Sequence, residues 1–501
     1  MSRISPEIAL PFVELDRSLT QPLYLQLYEK IKSGILSGML KEGERMPATR
    51  TLANELSVSR NSVLLAFEQL ILEGYLSGKT GAGTFVCKDL SFFLNKRRQQ
   101  IQPSPSPKQA ESKKIEPMDY PLSEEILIKD SQVEPAKPFQ LSVPAFTEFP
   151  FAAWAKIAAG VYRNIHSLHL GYDDAQGYLP LRKALTDYLR MHRSINCTPD
   201  QIVMVNGSRQ GLHLAAQLLL KKGDLCWIED PGYHGAKVAF TKYGGKLCPV
   251  PVTAQGLNID YASENFPAAK VAYVTPSHQY PLGGTMPLSR RLKLLQWAAD
   301  HKMWIIEDDY DSEFRYNGRP IPALQGLDTA GNVIYIGTFS KVLFPALRMG
   351  YVVLPSAQVA QQFKFAKSIT DRQSPVIDQA ILSEFIVSGH FSRHIRRMRM
   401  LYNQKQEELI SLLNKHLADE VIVSPVNAGM HVVAWLTKHK KADKIVAEAS
   451  KRGIILHAVE EFAIKFRPKA GLLMGFTGFS YKEMERAVIV LRNCLNEKFK
   501  M

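Results

Sequence analysis

Apolar residues recur every fourth position at Leu23, Leu27, Ile31 and Ile35. That spacing lines one face of a helix over about residues 22–37. Gly38 and Gly43 break the pattern, and Pro47 closes the loop that follows. A second helix is predicted from Thr49, with Leu52, Ala53 and Leu56 turned inward. Ser57 and Val58 make a short turn. Ser59 is a fair N-cap for a third helix whose apolar face carries Val63, Ala66, Phe67 and Leu70. Past Gly74, two strand-like pieces at 75–77 and 84–86 flank a glycine-rich loop.

Helix, helix, tight turn, helix and β-wing make the winged helix-turn-helix plan. The third helix is the natural groove reader, because its N-terminal residues point at base edges. Arg60, Asn61 and Ser62 stand there with donors, next to Ser59. Arg50 and the wing residues Thr80 and Gly81 suit phosphate contact. A plain three-helix packing module has the same periodicity, but it leaves Arg50, Arg60 and the glycine wing without a role.

From Leu90 to Pro138 the periodicity fades into prolines, serines and scattered charge. Such a stretch builds no core and favours an extended tether. Its basic run Lys96-Arg97-Arg98 is either a set of phosphate contacts or a solvated face. The chain therefore divides into a head (1–89), a linker (90–138) and a large domain (139–501).

In the large domain short apolar runs alternate with helical patterns. Strands are predicted at 202–205, 225–228, 271–274, 304–306, 333–336 and 351–354. Helices are predicted at 181–191, 211–220, 234–242 and 289–301. Continuous apolar strands with helical crossovers mean a mostly parallel sheet covered on both faces. Chemistry in such sheets gathers in the loops after the strand C-termini.

The candidate chemistry sits in those loops. Thr338-Phe339-Ser340-Lys341 follows one strand, and Arg348 precedes the next. A desolvated lysine is a nucleophilic amine that condenses with aldehydes, the standard link to pyridoxal 5'-phosphate. Thr338, Ser340 and Arg348 suit its phosphate. A surface-loop lysine would also fit this motif alone. Gly207-Ser208-Arg209-Gln210 opens a helix, where backbone N–H groups hold anions. Tyr233 is either a ring stacker or a core aromatic. The run Glu307-Asp308-Asp309-Tyr310 puts carboxylates at the sheet edge. One of them beside a pyridine nitrogen would keep it protonated. A metal is the other use for such a run, but no histidine lies near it at ligand spacing in the sequence.

Bulk properties add limits. The net charge is +14, yet residues 1–100 hold 13 Lys and Arg against 10 Asp and Glu, so a DNA role rests on pattern. No apolar run is long enough for a membrane span. The N-terminus lacks a signal-peptide core. The five cysteines are widely spaced with no C-x-x-C, which points to reduced thiols in a cytoplasm.

The strings Pro22-Leu23-Tyr24, Pro47-Ala48-Thr49-Arg50, Ser59-Arg60-Asn61-Ser62-Val63 and Gly81-Ala82-Gly83-Thr84-Phe85-Val86 resemble the GntR family DNA-binding domain. That resemblance implies DNA contacts from Arg50, Arg60, Asn61, Ser62 and Gly81. The order Gly207-Ser208, Tyr233, Asp308-x-Tyr310, Thr338-x-Ser340-Lys341, Arg348 is similar to fold-type I aminotransferases, an α/β class. It implies that Lys341 carries pyridoxal phosphate as an internal aldimine. Asp308 would pair with the ring nitrogen, and Tyr310 would face the ring hydroxyl. Arg348 and Ser208 would hold the phosphate. Tyr172 would reach the phosphate of a partner subunit, so a homodimer is implied. The fusion resembles the MocR/GabR-type transcriptional regulators, and within them the PdxR-like regulators of vitamin B6 metabolism. The strings Thr275-Pro276-Ser277-His278-Gln279-Tyr280-Pro281 and Ile306-Glu307-Asp308-Asp309-Tyr310 are typical of them.

Three departures bear on the effector. Tyr280 stands where aminotransferases carry an asparagine that contacts the ring hydroxyl. Leu473 stands near their carboxylate-binding arginine, with Arg467 nearby, and Gly235 stands where the GabR subtype offers another. Without a bidentate clamp, amino acids bind weakly. The expectation is a PLP sensor answering to a small amine or amino acid, with a genuine aminotransferase, or a PLP-storage protein, as the rival.

Overall fold

The apolar stripes of the first three helices close on one another. We describe the chain from a computed structural model covering residues 10, 12–19, 21–79, 83–87, 135–165, 170–316, 321–423, 426–437 and 440–496. It divides into two compact units, residues 1–117 and 118–501.

In the first unit α1 (Leu23–Leu36), α2 (Thr49–Glu55) and α3 (Arg60–Leu72) precede strands β1 (Leu76–Lys79) and β2 (Gly83–Val86). Leu27, Ile31 and Ile35 from α1 meet Leu52 from α2 and Val63, Phe67 and Leu70 from α3. Leu76 and Val86 pair across the antiparallel wing and cap this core. Arg45 bridges to Phe85 on the wing's outer side. Thr80 and Gly81 lie outside the described residues, as do residues 88–134, which hold most of the expected linker.

The second unit is built on an eight-stranded sheet in the order β3-β10-β9-β8-β7-β4-β5-β6. The strands are β3 (Ile202–Val205), β4 (Leu225–Asp230), β5 (Lys246–Thr253), β6 (Gly256–Leu257), β7 (Val271–Val274), β8 (Trp304–Asp309), β9 (Val333–Thr338) and β10 (Gly350–Val353). Strands β9, β8, β7, β4 and β5 run parallel, while β10 runs antiparallel to both of its neighbours. Period-two alternation sends Val203, Val205, Ile306, Ile336 and Val352 to one face and Met204, Tyr335, Tyr351 and Val353 to the other. Both faces are covered, which is why these strands read as continuous apolar runs.

Strand β5 escaped the pattern because Pro249 and Pro251 interrupt it. It lies near the sheet's edge, where prolines are tolerated. A second, antiparallel sheet also went unread. It orders as β11-β12-β14-β13, from β11 (Val421–Val423), β12 (His431–Leu436), β13 (His457–Ala458) and β14 (Gly471–Gly475). Among the described residues no helix is long and apolar enough to cross a membrane.

Candidate functional site

The parallel strands end along one edge, and a cavity of about 580 Å³ opens there. Its walls bring together Ser208, Arg209, Tyr233, Asp308, Tyr310, Thr338, Ser340, Lys341 and Arg348. They come from strand ends, a helix start and loops that are distant in sequence. The volume is in the range of small-molecule sites, roughly 300–1,000 Å³.

Alternation along β8 sorts its acidic run. Glu307 and Asp309 turn to one face. Glu307 accepts from the backbone N–H groups of Leu324 (2.8 Å) and Gln325 (2.9 Å), and Asp309 pairs with Arg193 at 2.6 Å and accepts from Tyr335 at 2.7 Å. Asp308 and Tyr310 turn to the cavity. Burial pushes the Asp308 carboxyl up to about 7, against the hydrogen bond from Tyr273. Tyr273 donates to Asp308 Oδ2 at 2.8 Å, and the buried Oδ1 has no partner.

Gly207, with φ 87°, turns the chain from β3 into helix α4 (Ser208–Leu219). The helix N-terminus thus faces the cavity beside Ser208 and Arg209, the latter donating to the Tyr233 hydroxyl at 3.3 Å. Arg348 also has positive φ, 48°, and its guanidinium donates to the Asn206 carbonyl at 3.3 Å. A non-glycine residue in that region is uncommon and clusters at functional sites. Thr338 Oγ1 accepts from the Ser340 N–H at 3.2 Å, which shapes the loop before Lys341.

One expected cofactor residue of this chain's own site, Gln210, is not brought to the cavity, and Tyr172 was expected at a partner's site. The Gln210 side chain turns away, accepting from Asn206 N–H at 2.7 Å and donating to Asp371 at 2.8 Å. Asp371 also takes Asn206 Nδ2 and Lys367 Nζ, so Gln210 braces the turn from outside. Tyr172 is 79% exposed, with the Arg372 guanidinium stacked 3.6 Å over its ring.

Sequence reasoning missed several lining residues. Tyr273 read only as part of a strand. His278, though not itself on the cavity wall, contacts the acidic run directly: its Nδ1 is 3.0 Å from Asp311 and 2.9 Å from Tyr310 Oη. The absence of a nearby histidine thus holds only along the sequence. Among the described residues no group of three His, Cys, Asp or Glu is arranged to hold a metal. His234 stacks on Phe462 and has both ring nitrogens buried without partners. Leu473 sits in an apolar cluster with Phe462, Tyr280 and Leu141. Arg467 is exposed and is not among the cavity's lining residues. A Cβ on Gly235 would meet the Tyr233 ring at 2.4 Å, so an arginine there would displace that ring.

In the first unit Arg50, Ser59, Arg60 and Asn61 are exposed at the N-terminal ends of α2 and α3. Ser59 Oγ accepts from Ser62 N–H at 3.1 Å and lies 2.9 Å from Ser62 Oγ. Its hydroxyl is therefore the cap of α3.

Residues 23–86 match the model of the bacterial regulatory proteins of the gntR family. Residues 138–488 match aminotransferase class I and II. The chain is 37% identical over 482 residues to the probable rhizopine catabolism regulatory protein MocR of Rhizobium meliloti, covering 96% of this chain and 95% of that one. The chain belongs to the MocR/GabR-type regulators. The pyridoxine biosynthesis regulator PdxR of Corynebacterium glutamicum is 30% identical over 453 residues, 90% of this chain and 91% of that one. Both names occur among the relatives, the first at higher identity. The Pyrococcus horikoshii kynurenine aminotransferase, solved with PMP, superposes with a TM-score of 0.69 at 26% identity, over 76% of this chain and 96% of that one.

For a MocR/GabR-type regulator this fold implies pyridoxal phosphate, and the residues fit it. Asp308 lines the cavity and keeps one buried oxygen without a partner, an acceptor suited to a donor such as a pyridinium N–H. The GntR-type head implies DNA binding.

Proposed function

We propose that the chain is a cytoplasmic transcription regulator whose body, residues 139–501, binds pyridoxal phosphate at Lys341, and whose head, residues 1–89, binds promoter DNA. Residues 90–138 tether the two. The observation that carries this reading is the meeting of Lys341, Asp308 and the α4 N-terminus at one cavity, with one Asp308 oxygen buried and unpartnered. When bound, the cofactor supplies an aldehyde and an electron-withdrawing ring.

The chain's residues divide the work. Lys341 takes the aldehyde. Asp308, oriented by Tyr273, accepts from the ring nitrogen. Tyr233 stacks on the ring. Ser208, Arg209, Thr338, Ser340 and Arg348 hold the phosphate, and Tyr172 reaches that of a partner subunit. A homodimer is supported by exposed apolar residues on the described surface, among them Phe365, Ile369 and Tyr172. Arg50 meets phosphate, and Arg60, Asn61 and Ser62 read bases.

The effector is a small amine with no need for a carboxylate clamp. Leu473 in an apolar cluster and the steric block at Gly235 support this. The same two features weigh against an efficient transaminase. The ligand acts by differential affinity for two poses of the heads.

Absorbance titration with pyridoxal phosphate tests the body. A visible band is expected in wild type and its loss in Lys341→Ala. Gel shifts on the gene's own upstream region test the head. Arg60→Ala should weaken binding, and wild-type binding should fall steeply with salt. A colourless protein indifferent to DNA would sink the proposal.

A further inference from the structure

A buried chain of three side chains ends at the cavity wall. His278 Nδ1 lies 3.1 and 3.0 Å from the two carboxylate oxygens of Asp311, and 2.9 Å from Tyr310 Oη. His278 is 2% exposed and Asp311 1%. Three oxygens thus crowd one nitrogen, and the proton count decides who donates.

Nδ1 faces both oxygens of one carboxylate, which only accepts when ionised, so the hydrogen between them sits on nitrogen. The ring's other nitrogen, Nε2, is buried without a partner, a poor place for an N–H. Nδ1 therefore carries hydrogen and donates to Asp311. A protonated Nδ1 has no lone pair, so the Tyr310 oxygen beside it can only accept. The Tyr310 O–H is then turned away from the histidine and into the cavity that Tyr310 lines.

The ring's seat is tightly built. Gly429 has φ 97°, and a Cβ there would meet His278 Cε1 at 2.0 Å. A Cβ on Gly283 would meet Nε2 at 3.3 Å. The ring of His431 lies 5.4 Å away, kept neutral chiefly by burial. Asp308, Asp309, Glu229, Tyr280 and Lys341 also act on this chain, and burial first, then Asp311, keeps the Tyr310 phenol protonated.

We propose that His278, held by Asp311, is a positioning residue that fixes Tyr310 as a hydrogen-bond donor to the ring hydroxyl oxygen of bound pyridoxal phosphate. This rests on the reading that the cofactor occupies this cavity at Lys341. It explains how the chain manages with Tyr280 where aminotransferases carry a donor asparagine. A donor aimed at the ring oxygen stabilises its anion and loosens the proton it shares with the Lys341 nitrogen.

The test is a pH titration of the visible absorption of the cofactor-loaded full chain. His278→Phe removes the N–H and should raise the midpoint by about one unit, roughly tenfold in proton affinity. Tyr310→Phe should raise it at least as much, and the double variant no further than Tyr310→Phe alone. His278→Asn keeps an N–H near the Nδ1 position and should return the midpoint toward wild type. Asp311→Asn can donate to Nδ1 and reverse the chain, so it too should raise the midpoint. It also serves if His278→Phe does not fold. A His278→Phe or Asp311→Asn protein that binds cofactor with an unmoved midpoint overturns the proposal, as does strict additivity in the double variant. A wild type that takes up no coloured cofactor overturns the cofactor reading as well.

Discussion

Tyr273 and Asp308 meet on adjacent parallel strands, phenol to carboxylate at 2.8 Å, and this contact leaves the other oxygen of Asp308, a residue of the cavity wall, buried without a partner. One partner thereby sets the aim of a buried acid whose burial favours its neutral form. A cationic ring nitrogen would reverse that preference, because an opposite charge at hydrogen-bond distance stabilises the carboxylate.

Removing the brace should weaken the cofactor. A hydrogen bond to a charged group contributes about 1.5–3 kcal/mol. Tyr273→Phe should therefore loosen pyridoxal phosphate by roughly tenfold or more, read by absorbance titration. Unchanged affinity would mean that Asp308 is aimed by packing alone.

The cofactor-free chain should lose stability as pH rises from about 4 to 7. The folded-state values of Asp308 and Glu229, both pushed up to about 7 by burial, exceed their ordinary values of 3.8 and 4.5. The folded form then holds protons that the unfolded form has released, so raising the pH favours unfolding. Asp308→Asn should flatten part of this decline in denaturant midpoints measured across that window. An equal decline in wild type and variant would contradict the assignment.

Salt separates the two arginines of the head. Arg50→Ala should weaken binding to all sequences alike and lower the slope of log affinity against log salt by about one. Arg60→Ala should cost about 1–3 kcal/mol on the operator and blunt discrimination between sequences. Binding curves on operator and random duplex at several salt concentrations would distinguish these outcomes.

Ser59 tests structure against contact. Its hydroxyl caps α3 through the Ser62 N–H. Ser59→Ala should destabilise the helix by about 1 kcal/mol and speed amide exchange along α3. Ser59→Asp keeps the acceptor and should restore protection, while its negative charge lowers DNA affinity.

What the residues alone settled is local. Fourfold spacing in α1, the Ser59 cap and the glycine wing each specify a conformation over a few residues, so the head was legible. The apolar strands β3, β4, β7, β8, β9 and β10 were legible for the same reason, and the chemistry lies at or near their ends. Lys341, Asp308, Tyr233 and Arg348 followed from that rule.

The tertiary structure decided the contacts between segments far apart in sequence. Gln210 sits in the predicted turn, yet its amide faces Asp371 across 161 positions. Tyr273 becomes the partner of Asp308 only when β7 pairs with β8. His278 joins Asp311 because the loop after β7 folds over the end of β8, a placement no spacing encodes. Periodicity reports which face of an element is buried, whereas hydrogen-bond partners depend on the register and packing of whole elements against one another.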